Sequence, residues 1–241
     1  MAVLRGSTGE EPPSRRLPRP DCAEFETGAN PQAVVLWLHG VGGDGFQSEP
    51  LIRQLSRSVD APLRFVCPYA PFRAVTLCGG QRMRAWYDLR DTDRQLRQDE
   101  AAIRESSAAV RALVDREAER GIPSENLVLG GFSQGGAMAL LTGTRIPKPL
   151  AGIVALSCYP LLAGSFAAER QQANQHTPIF VAHGLDDPVI DLRIGERMRD
   201  GLQASGYAVE WHAYRMGHEQ GVAELSAVAA FVRRALSLTS R

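Results

Sequence analysis

The chain has 241 residues, with 27 Lys and Arg against 27 Asp and Glu, so its formal net charge is zero. That balance argues against nucleic acid or an acidic membrane surface as partner, since both select basic patches. No apolar run approaches the ~18 residues that a membrane-spanning helix needs, and the length suits one sizeable α/β domain.

Residues 1–32 are rich in Pro, Arg, Glu and Gly and read as a flexible leader, with a short edge strand near Cys22 to Thr27. The absence of a signal peptide favours the cytoplasm. The four widely spaced cysteines, Cys22, Cys67, Cys78 and Cys158, include no C-x-x-C pair and read as free thiols of a reducing compartment. The five histidines show no metal-ligand spacing, so no metal or other cofactor is expected.

Ala33 to Leu38 is a continuous apolar run, the pattern of a strand buried on both faces. It runs into His39-Gly40-Val41-Gly42-Gly43-Asp44-Gly45, a glycine-rich loop without the G-K-[ST] ending of a phosphate-binding loop. Its alternative use is to expose backbone N–H groups beside a reacting carbonyl. Glu49 to Val59 reads as a helix and Arg64 to Ala70 as a second strand. Residues 72–92 read as irregular, and a long loop in a compact domain is often functional. Thr92 and Gln95 resemble a capping box for a helix that buries Leu96, Ile103, Val110, Leu113 and Val114, its charges facing solvent.

Leu127 to Leu141 is the centre of the chain. A short apolar β run passes through Gly131-x-Ser133-x-Gly135 into an Ala/Leu/Met helix. A serine there sits on a tight strand-to-helix turn with its hydroxyl pushed clear of the sheet. Side chains at 131 or 135 would collide across such a turn, and the helix dipole favours negative charge at Ser133. Further strands are read at Ala151 to Ser157, Pro178 to His183 and Ala208 to Tyr214, with helices around Ile194 to Leu202 and Val222 to Leu236. Alternating strands and helices predict a mostly parallel sheet covered on both faces, with the site beyond the strands' carboxyl ends.

A nucleophilic serine needs a base, and the base needs an orienting carboxylate, in the chain order Ser, acid, His for this kind of fold. The loop after the next-but-one strand offers Asp186 and Asp187, with Asp191 a weaker third. The extended bias of a residue before proline favours Asp187 without excluding Asp186. The loop after the last strand offers His218. His39 and His183 end buried strands and read as bonded to backbone, while His212 reads as a surface or packed residue of a strand. The N–H groups of Gln134 and Val41 are the oxyanion donors expected.

The combination Leu38-His39-Gly40-Val41-Gly42, Trp86-Tyr87-Asp88, Gly131-Phe132-Ser133-Gln134-Gly135-Gly136, His183-Gly184-x-x-Asp187-Pro188-Val189 and Met216-Gly217-His218-Glu219 resembles the phospholipase/carboxylesterase family. The resemblance spans about residues 33 to 237. It implies an α/β-hydrolase fold acting on acyl esters and thioesters, with Ser133, Asp187 and His218 as triad and Val41 and Gln134 as oxyanion pair. It thereby selects Asp187 over Asp186, and sets Trp86 beside the acyl slot. Leu77, Trp86 and Leu161-Leu162 suggest that slot's apolar lining.

The first expectation is therefore a serine carboxylesterase, and the second an acyl-protein thioesterase or lysophospholipase. A catalytically silent binding protein on the same fold and a phosphate-binding module are the non-enzyme rivals. Expected partners are a small acyl ester or thioester, an acylated protein or a lysophospholipid, without nucleic acid or an integral membrane segment. The oligomeric state stays open, a homodimer being one outcome.

Overall fold

A computed structural model describes residues 20–59, 61–90 and 98–238. Within it the long apolar runs become strands, because a run with no polar face is satisfied only when both sides are covered. In chain order the elements are β1 (Cys22–Glu26), β2 (Ala33–Leu38), α1 (Glu49–Ser58), β3 (Leu63–Pro68), β4 (Phe72–Val75), β5 (Gln81–Arg84), α2 (Glu100–Glu119) and β6 (Leu127–Phe132). They continue with α3 (Gln134–Arg145), β7 (Gly152–Leu156), α4 (Phe166–Glu169), β8 (Ile179–Gly184), α5 (Leu192–Ala204), β9 (Val209–Tyr214) and α6 (Val222–Ala235).

Seven strands form one sheet in the order β1-β3-β2-β6-β7-β8-β9. All neighbours are parallel except β1, which pairs antiparallel with β3 from Cys22 opposite Pro68 to Glu26 opposite Arg64. This is the edge strand expected near Cys22 to Thr27. Residues 1–19 of the expected leader lie outside the described residues.

The pleat separates two cores. Val34, Leu36 and Leu38 of β2 join Ile103, Val110 and Leu113 of α2, Met138 of α3 and Leu202 of α5. Val35 and Trp37 of the same strand join Leu51 and Leu55 of α1 and Val228 and Val232 of α6 on the other face. The result is a single α/β domain, a mostly parallel sheet between two helical layers.

Two readings of the sequence need correction. Residues 72–92 are not irregular throughout, because β4 and β5 form an antiparallel hairpin, Phe72 opposite Arg84 to Val75 opposite Gln81. Gly79 and Gly80, with φ of 64° and 77°, make its turn. The charges of α2 are also more than a solvated face. Glu117 is fully buried and meets Arg64 at 2.8 Å, Arg116 at 2.8 Å and Arg120 at 3.0 Å, tying α2 to β3. The capping box at Thr92 and the buried position of Leu96 lie outside the described residues. In their place the Asp99 side chain caps α2, accepting the Ala102 N–H at 3.5 Å.

Candidate active site

The turn between β6 and α3 holds Ser133 at φ 54° and ψ −121°, a conformation rarely open to a residue with a side chain. Its N–H donates to Leu156 O at 2.8 Å, which anchors the turn on β7. The glycines make the turn feasible. A Cβ at Gly135 would stand 2.1 Å from Leu38 O, and one at Gly131 would stand 2.5 Å from the backbone of Gly135. The helix can therefore start directly after Ser133, its first N–H groups without intrahelical acceptors.

Asp187 and His218 arrive from the loops after β8 and β9. Ser133 Oγ lies 2.8 Å from His218 Nε2, and His218 Nδ1 lies 2.7 Å from Asp187 Oδ2. The other carboxylate oxygen of Asp187 accepts the N–H groups of Val189 and Ile190, both at 2.8 Å. Asp187 is thus buried and held by backbone. Asp186 is exposed, and Asp191 caps α5 by accepting the Arg193 N–H at 2.8 Å. Geometry brings Asp187, which the family resemblance selects and spacing alone does not, against His218.

The loop after β2 is braced from behind. A carbonyl can only accept, so His39 Nδ1 carries the proton donated to Gly40 O at 2.7 Å. Nε2 then accepts the Ala70 N–H at 3.1 Å. Burial lowers the His39 pKa, which keeps this neutral tautomer in place. Gly42 N–H donates to Arg84 O at 2.7 Å and Gly43 N–H to Gly40 O at 3.1 Å. Among the described residues the Val41 N–H has no acceptor. The Gln134 N–H opens α3 and has no intrahelical acceptor either. Both amides belong to residues lining the same cleft as Ser133.

That cleft is small, about 160 Å³, with Leu89, Phe132, Tyr159 and Val189 as apolar walls. Trp86 does not line it. The indole is buried and donates from Nε1 to His39 O at 2.9 Å, so it supports the loop. The Gln134 side chain accepts the Trp86 N–H and donates to Tyr87 O, both at 2.8 Å. Leu77 is partly exposed and lies outside the cleft lining, although its N–H donates to Leu89 O at 2.9 Å. Leu161 faces a different, apolar cavity of about 320 Å³ between α3 and α5. Sequence reasoning missed these supports because none leaves a motif. His212 and His183 behave as read, His212 stacked between Phe180 and Tyr214 and His183 bonded to Ile190 O at 2.8 Å. Among the described residues no group of His, Cys, Asp and Glu could hold a metal ion.

Residues 21–236 match the family model described as phospholipase/carboxylesterase. The chain is 39% identical over 213 residues to "Acyl-protein thioesterase 1" of Neurospora crassa, covering 85% of this chain and 87% of that protein. It is 35% identical over 222 residues to the protein of that name from Gibberella zeae, covering 88% and 94%. Among solved structures, Arabidopsis thaliana SOBER1 superposes with a TM-score of 0.77 at 30% identity over 85% of this chain and 99% of that one. Zea mays acyl-protein thioesterase 2 gives a TM-score of 0.76 at 27% identity over 90% and 99%. The chain belongs to the phospholipase/carboxylesterase family of α/β-hydrolases, serine hydrolases of ester and thioester bonds.

Proposed function

We propose that this chain is an acyl-protein thioesterase that cleaves acyl thioesters through an acyl-enzyme on Ser133, with oxygen esters as secondary substrates. The observation that carries the chemistry is the continuous relay from Ser133 Oγ to His218 to Asp187 at 2.8 and 2.7 Å. The thioester preference is supported by relatives that carry the thioesterase name at 35–39% identity. It reverses the order of expectation read from the sequence, in which plain esters came first.

In this reading His218 Nε2 takes the hydroxyl proton as Ser133 Oγ attacks the acyl carbonyl. Asp187 fixes the tautomer and steadies the imidazolium that forms. The N–H groups of Val41 and Gln134 receive the oxyanion, each donor worth about 3–4 kcal/mol in comparable sites. The carbon–sulfur bond then breaks, and the thiol leaves with the proton from His218. Water, deprotonated by the same imidazole, attacks the acyl-enzyme and releases the carboxylic acid. The four free cysteines favour a reducing compartment, and we place the enzyme in the cytoplasm on that ground.

The test has two parts. A fluorophosphonate probe should label the full chain, and S133A should abolish labelling; a folded wild type that does not label would favour the silent binding protein. Matched oxygen and sulfur esters of one acyl chain should show higher kcat/KM for sulfur. Equal or reversed values would return the plain carboxylesterase to first place.

A further inference from the structure

A second imidazole lies beneath the carboxylate of Asp187. His183 ends β8 and is fully buried, its Nε2 2.8 Å from Ile190 O and 3.5 Å from Asp187 Oδ2. A carbonyl accepts only, so Nε2 carries the proton. The Ile190 N–H in turn donates to Asp187 Oδ1 at 2.8 Å. His183 thus holds the 187–190 turn at its carbonyl, while Asp187 holds the same peptide segment at its amide. The other ring nitrogen, Nδ1, is buried with no partner among the described residues. It packs on α5, where a Cβ at Gly195 would stand 2.6 Å from it.

That orphan nitrogen is informative. A buried, unpaired acceptor is destabilising, and an aliphatic side chain would fill the space without that cost. What the imidazole supplies and an aliphatic cannot is the Nε2 donor. Burial also lowers the His183 pKa, so the ring is a neutral donor and brings no cation to compete with His218 for Asp187. We infer that His183 is a positioning residue for the hydrolysis: its Nε2–H fixes the turn that aims Asp187 at His218, at a cost in stability. This rests on the triad reading above.

Steady-state kinetics of the full chain with p-nitrophenyl butyrate test it, using H183L and H183Q. Glutamine offers an N–H donor at a similar reach, whereas leucine keeps the bulk and removes the donor. We expect H183L to lower kcat about ten- to a hundredfold, the range that supports of first-contact groups typically carry, with KM within about twofold. H183Q should recover most of kcat. Thermal unfolding should find H183L no less stable than H183Q. Wild-type kcat in H183L overturns the inference, and so does an H183Q enzyme as slow as a folded H183L. If H183L does not fold, G195A carries the test. Its methyl group pushes the imidazole off the turn, so kcat should fall severalfold, and an unchanged kcat overturns the inference. Activity surviving in S133A would instead sink the triad reading itself, which separates the two failures.

Discussion

The two edges of the sheet are built on different principles. At the amino edge, the buried carboxylate of Glu117 meets three guanidiniums, and Arg64 also reaches Glu26 at 2.9 Å. Charge there is matched by charge. At the carboxyl edge, Ser133 and Ser157 both have positive φ, 54° and 44°. Ser157 Oγ and His183 Nδ1 are buried without partners among the described residues. Two left-handed serines and a buried unpaired imidazole nitrogen thus lie near where the chemistry is read, and a cluster of paired charge where only support is needed. The amino edge should therefore respond to mutation in stability, and the carboxyl edge in turnover.

The largest effect that would sharpen this contrast is D187N. It keeps the shape of the acid but favours the wrong imidazole tautomer, and by analogy with serine proteases kcat should fall about 10⁴-fold. Urea unfolding should find its stability close to wild type; a collapse in stability with little change in kcat would blur the distinction. At the opposite edge, E117Q should cost about 3 kcal/mol in urea unfolding, because three guanidiniums lose a buried anion. Its kcat at 25 °C should stay within about twofold of wild type.

A third test concerns Glu224, which sits in the first turn of α6 with both carboxylate oxygens buried and, among the described residues, no cation paired with them and only the Gly221 backbone beside them. Burial raises its pKa to about 8, from about 4.3 in an unfolded chain. The folded state thus keeps a proton that the unfolded state releases between these values. The stability conferred by that proton is complete below about pH 4.3 and is lost as pH rises toward 8. E224Q should remove this slope and exceed wild type at pH 9 by on the order of 5 kcal/mol, measured by urea unfolding across pH. A wild-type curve that rises from pH 5 to 8, with E224Q parallel to it, would rule this out. The smallest expected effect is W86F, which removes the donor to His39 O and leaves the ring. One net hydrogen bond corresponds to a kcat loss of about two- to tenfold, and a W86F enzyme that changes KM alone would restore Trp86 to the substrate slot.

Much of this could be read before the fold was known. The strands Ala33–Leu38 and Val209–Tyr214 were legible to within a residue, because doubly covered strands write themselves as unbroken apolar runs and half-covered ones as alternation. The meeting of Ser133 and His218 was legible through their order relative to those strands, whereas order left Asp186 and Asp187 open and only the family resemblance chose between them. The β4–β5 hairpin was not, since it stands outside the main sheet and its residues are mostly exposed, leaving no apolar run. Glu117 was misread because its nearest partner from the sheet, Arg64, lies 53 positions away in the chain, and charge patterns carry no distance. The support given by Trp86 escaped for a related reason: it acts through a backbone carbonyl, a group every residue owns.

The relay joins positions 85 and 31 residues apart in the chain. A loop or hairpin alone cannot bring them together; the strands from β6 through β9 must already be in register. Turnover is therefore a reporter of completed topology. During refolding, the return of activity should follow the slowest long-range pairing, and helix content should recover ahead of it.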